Sequence, residues 1–107
     1  MNDHPLLNEG IEFMRHHYAQ HEDNKFALVN DCAKHIKKLS DISDATAERI
    51  SVKALGEYER HLHDSYIDID ASTSQTIFVK SRRAGVSYAF TAATLMKLMR
   101  IHAIPIP

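Results

Sequence analysis

Lys80, Arg82 and Arg83 stand together in Ile77-Phe78-Val79-Lys80-Ser81-Arg82-Arg83-Ala84-Gly85-Val86-Ser87-Tyr88-Ala89-Phe90. Two alternating apolar stretches around a short polar one that ends in Gly85 predict two strands joined by a tight, cationic turn. Guanidinium groups at such an apex suit phosphate oxygens or carboxylates, because arginine holds its donors in a fixed fork and stays charged. The last carboxylate of the chain is Asp70. Residues 1–70 carry 14 acids and 8 bases, whereas residues 71–107 carry Lys80, Arg82, Arg83, Lys97 and Arg100 and no acid. The formal net charge of -1 hides this division. The cationic segment predicts a surface for a polyanion or an acidic protein. The plainer alternative is a solvated turn whose positive charge discourages edge-to-edge strand pairing.

The other reactive side chains point to no chemistry of their own. Among the 8 histidines, His17 and His21 are one helical turn apart and His61 and His63 lie beside Asp64. A zinc site needs three or four converging ligands, and the chain has neither HExxH nor CxxC. His61 and His63 would face opposite sides of a strand, or stand about 200° apart on a helix. No metal and no cofactor is expected. The single cysteine, Cys32, falls on the apolar side of a helical pattern and reads as a buried, inert thiol. GxGxxG, GxxxxGK and GxSxG are all absent, so the chain is expected not to be an enzyme.

A chain of 107 residues, 44% hydrophobic and 25% charged, predicts one soluble globular domain spanning 1–107 that builds its core without disulfides. One cysteine and an N-terminus without a basic stretch leading into an apolar run point to the cytoplasm. The most apolar region, Phe90 to Ile106, is broken by Lys97, Arg100 and His102, so no membrane span is expected.

The elements that must position the cationic turn follow from periodicity. Leu7, Ile11, Met14 and Tyr18 predict a helix over 5–21, opened by Pro5 after a cap from Asp3 or His4 and weakened by Gly10. Glu22-Asp23-Asn24 ends that helix and caps the next, over 24–39, which buries Phe26, Val29, Cys32, Ala33, Ile36 and Leu39. Residues 43–63 form one long helix or two short ones, 45–50 and 52–63, meeting at a capping Ser51. Tyr66, Asp68 and Asp70 alternate with Ile67 and Ile69, as in a strand whose acids face water. After a polar loop over 71–75, Thr76 to Lys80 and Val86 to Phe90 form the hairpin. Thr91 caps a last helix to about Ala103, which Leu95, Met96, Leu98, Met99 and Ile101 make apolar over most of its circumference. Such a helix needs a cover, and a homodimer through Thr91 to Ala103 would supply one.

The fold class is therefore α+β: three to four helices, a short antiparallel sheet with a hairpin, and a C-terminal helix. This order resembles that of a winged helix-turn-helix domain over residues 24–91. The resemblance implies a transcriptional regulator that binds nucleic acid, in the first place DNA. It would present Lys53 and Arg60 on a recognition helix over 52–63, with Lys80, Arg82 and Arg83 on the wing. Glu57 and Glu59 on the same helix and an isoelectric point of about 6.7 run against that footprint. The alternative is a small interaction or inhibitor protein of a mobile element or phage. It would meet an acidic partner through its cations, or a basic one through Glu9, Glu12, Glu22 and Asp23 or through Glu57, Glu59 and Asp64.

Overall fold

The computed structural model describes residues 4–21, 23–83 and 85–106, the side chains of residues 4 and 99–102 excepted. The elements are α1 (His4–His17), a 3-10 turn (Tyr18–Gln20), α2 (Lys25–Leu39), α3 (Asp44–His63), β1 (Ser65–Ile67), β2 (Thr76–Ser81), β3 (Val86–Thr91) and α4 (Ala92–His102). The protein is thus α+β, helices first, then an antiparallel sheet with a hairpin, then a closing helix. Contacts divide the chain into two compact units, Met1–Tyr58 with Ile104–Pro107 and Glu59–Ala103. The expected contributions of Asp3 and Glu22 to helix caps lie outside the described residues.

In the first unit, Met14, Leu28, Cys32, Ile36 and Ala54 are wholly inaccessible to solvent. Leu7, Ile11 and Ile104 pack against the cluster they form. Gly10 is there for space, because a Cβ at that position would lie 2.8 Å from the Cβ of Ala54. α2 begins where Asn24 Oδ1 accepts the Ala27 N–H at 3.1 Å. Its buried stripe is Leu28, Val29, Cys32, Ala33 and Ile36. Phe26 and Leu39, expected inside, are exposed. Phe26 lies about a quarter turn off that stripe, and Leu39 is the last residue of the helix, beyond its packed turns.

α3 is a single continuous helix. Ser43 caps it, its Oγ accepting the Thr46 N–H at 3.1 Å. Ser51 caps nothing: it is buried in mid-helix, where its hydroxyl donates to the Ala47 carbonyl at 2.8 Å and so needs no interruption of the ladder. The winged-helix comparison places a turn near Ser51 between scaffold and recognition helices, and here there is none.

The second unit starts from the end of α3. Asp64 takes the left-handed conformation, φ 52°, with its N–H donating to the Arg60 carbonyl at 2.9 Å. The sheet runs β1-β2-β3, with both pairs antiparallel. β1 is shorter than its alternation predicts, because Asp68 starts a turn, its Oδ1 accepting the Ala71 N–H and its carbonyl the Ser72 N–H. Asp70 is exposed as expected, but Asp68 and the isoleucines depart from the expected facing. The Asp68 side chain is only 19% exposed, whereas Ile67 is 53% and Ile69 82% exposed. Lys80 binds the carboxylate on its face of the sheet, while Ile67 and Ile69 stay largely open to solvent. Thr91 caps α4, its Oγ1 accepting the Thr94 N–H at 3.2 Å. Among the described residues, no helix is long and apolar enough to cross a membrane.

Candidate functional site

The hairpin owes its form to the residues at its ends. Gly85 adopts φ 67° and its N–H donates to the Ser81 carbonyl at 3.0 Å, closing the apex. At the opposite end, the Ala92 N–H donates to the Gln75 carbonyl at 2.7 Å and carries the ladder to the start of α4. The loop before β2 is held by small hydroxyls. Ser72 Oγ donates to the Asp68 carbonyl at 2.6 Å and accepts the Phe78 N–H at 3.0 Å, while Thr73 Oγ1 accepts from Gln75 and Thr76.

Cross-strand register divides the sheet into two faces of different character. On one, Tyr66, Lys80 and Ser87 stand in a row beside Phe78 and Ala89. Here the cations are partly engaged. Lys80 Nζ is 2.9 Å from Asp68 Oδ2, and the Arg82 guanidinium lies over the Tyr66 ring, 4.8 Å from its centroid. The Lys80 hydrogen bond, reinforced by the Ala71 N–H, holds the Asp68 carboxyl below the usual aspartate range. The same bond raises the Lys80 ammonium. Arg82 and Arg83 keep their exposure at the apex.

The other face is apolar. Ile67, Val79 and Tyr88 form one row, Ile77 and Phe90 the next, and Val86 stands opposite Ser81. Ile67, Val86 and Tyr88 are exposed, Tyr88 by 60%. No charged side chain lies in these rows. On α4 of the same unit, Met96 is 62% exposed and Leu98 is also open to solvent. The cover expected for that helix is absent for these two side chains among the described residues.

Of the five predicted site residues, the fold sets Lys80 against Asp68 and Arg82 over Tyr66, and leaves Arg83 exposed at the apex. Lys53 and Arg60 are exposed on α3, with Glu57 four residues after the first and three before the second, on the same helical stripe. A carboxylate between two cations weakens that stripe as a phosphate track. Periodicity missed the Asp68–Lys80 pair and the open apolar face, although the placement of Ile67, Val86 and Tyr88 at alternate strand positions was signal enough for the second.

The remaining titratable groups have local roles. His17 stacks on Phe13 at 4.2 Å, His35 Nε2 lies 3.8 Å from Glu9, and His21 Nε2 lies 3.9 Å from Asp31. Among the described residues, no three His, Cys, Asp or Glu side chains converge as metal ligands would. Cys32 is buried, and burial pushes its thiol above the ordinary cysteine value, against a smaller lowering by a Ser51 hydrogen bond. Comparison with known proteins finds no match for this chain among protein-family models, curated proteins or solved structures.

Proposed function

We propose that this protein is a cytoplasmic, non-enzymatic interaction protein whose C-terminal unit docks an acidic partner protein through the apolar face of its sheet. One observation carries the reading: the Ile67, Val79, Tyr88 row, exposed at Ile67 and Tyr88, in a unit whose residues from 71 onward carry cations and no carboxylate. Contiguous apolar surface of this kind is costly in water and marks interaction sites. Tyrosine, methionine and arginine are the side chains enriched at interface centres, and Tyr88, Met96, Arg82 and Arg83 are all exposed in this unit. The test is capture from nuclease-treated native lysate by the parent and by Tyr88→Glu. A stoichiometric protein held by the parent and lost from the variant supports the docking face; equal capture by both removes it.

Exposure of Arg82 and Arg83 at the apex favours a second reading, DNA contact by a transcriptional regulator of winged-helix type, with Lys53 and Arg60 as further contacts. Two arginine–phosphate contacts predict a salt slope of roughly -1.8 for duplex DNA. Electrophoretic assays at low salt with the parent and with Arg82→Ala plus Arg83→Ala decide it: no binding by the parent ends this reading. A homodimer through Thr91 to Ala103 is compatible with either and rests on the exposure of Met96 and Leu98. Sedimentation of the parent against Met96→Glu tests it.

A further inference from the structure

β3 is an edge strand with an unprotected outer backbone. The Asp68 N–H donates to the Phe78 carbonyl at 2.8 Å and the Arg82 N–H to the Asp64 carbonyl at 3.3 Å, so even-numbered residues of β2 turn their polar backbone toward β1. Its odd-numbered residues therefore bond β3, where their partners are Val86, Tyr88 and Phe90. By the same alternation Ser87 and Ala89 aim N–H and C=O away from the sheet. Both residues are exposed, as are Val86 and Tyr88, so α4 does not cover this strand. Natural edges are blunted by lysine, proline, a bulge or shortness. β3 has six residues in unbroken register with β2 and contains no charge and no proline. Lys80, whose charge could have served as a guard, belongs to the central strand.

We infer that β3 accepts an extended segment of the acidic partner as a fourth strand, an inference that rests on the docking reading above. Backbone pairing at Ser87 and Ala89 would supply the hydrogen bonds. Alternate apolar side chains of the incoming strand would extend the Ile67–Val79–Tyr88 row, and its carboxylates would meet the exposed Arg83 and Lys97. Charge selects this occupant over a second copy of β3, because pairing two copies would bring together two segments that each carry only cations after Asp70.

The experiment uses the full chain and two short capped peptides, one alternating valine with glutamate and the other valine with lysine. The glutamate peptide binds and the lysine peptide does not, and binding slows amide exchange at Ser87 and Ala89. Ala89→Pro removes one outward N–H while leaving the bonds to β2, so it weakens binding on the order of tenfold. The exchange measurement needs no variant and stands even if the proline substitution fails to fold. Equal binding of both peptides, binding of neither, or no added protection at Ser87 and Ala89 overturns the inference. Loss of binding in Tyr88→Glu with full binding in Ala89→Pro removes the added strand and leaves docking on the apolar face standing. A dimer of the free chain that Ala89→Pro disperses assigns the edge to a second copy and overturns the acidic occupant.

Discussion

Lys80 Nζ lies 2.9 Å from Asp68 Oδ2 and ties the central strand of the sheet to the turn that ends β1. The same carboxylate accepts the Ala71 N–H, so one side chain fixes both the turn and the cation. The local positive charge of the hairpin is reduced to the two arginines at its apex.

The pair contributes a pH dependence to the C-terminal unit. Asp68 is depressed in the folded state, so its contribution is present above the unfolded aspartate value of about 3.9 and is lost as pH falls through the lower folded value. Lys80 is raised, so its contribution is present below about 10.4 and is lost as pH rises through its folded value. Asp68→Asn should lower the melting temperature of the parent at neutral pH and have little effect at strongly acid pH. Melting curves across the acid range measure this; an unchanged difference at all pH values contradicts it.

Gly10 and Gly56 should respond oppositely to alanine. At Gly10 the new Cβ meets Ala54 at 2.8 Å, and overpacking of about 1–3 kcal/mol outweighs the gain in helix propensity. At Gly56 nothing lies within 4 Å, so Gly56→Ala should stabilise by about 0.5–1 kcal/mol. Urea unfolding of the two variants checks the signs.

Cys32 should report the opening of the N-terminal unit. It is fully inaccessible and its thiol is raised by burial, so a thiol reagent should react only through unfolding. Labelling should therefore accelerate with urea in step with loss of helical circular dichroism. Rapid labelling without denaturant contradicts the packing described.

Removing helix caps tests the boundaries. Asn24→Ala and Ser43→Ala each delete a side-chain acceptor for an orphan N–H and should cost about 1 kcal/mol. Ser51→Ala should cost a different kind of bond, the buried hydroxyl to the Ala47 carbonyl, without fraying a helix start. Hydrogen exchange in the first turns of α2 and α3 distinguishes the cases.

The Asn24 cap was legible in the sequence, as were the hairpin strands, the tight turn at Gly85 and the threonine that opens α4. Each depends on bonds within a few residues. What was not legible depends on what lies across the fold. Alternation at Tyr66 to Asp70 fixes a period of two, but does not say which side the chain will cover, and Asp68 is paired with Lys80 while Ile67 and Ile69 stay open. Helical spacing placed Leu39 on the buried side of α2 without revealing that packing stops a turn earlier. The continuity of α3 turned on whether the Ser51 hydroxyl would cap a new helix or bond back to Ala47. At the candidate site, the three cations of the hairpin were found together, whereas the pairing of Lys80 and the apolar face behind it needed the register of three strands.

The docking face is tested most directly by placing a photo-crosslinking aromatic residue at Tyr88 in the full chain within its native cells. The account predicts one dominant adduct, with an acidic protein, sensitive to protease and resistant to nuclease. An adduct with nucleic acid, or none above the background of the same residue placed at exposed Lys53, would contradict it.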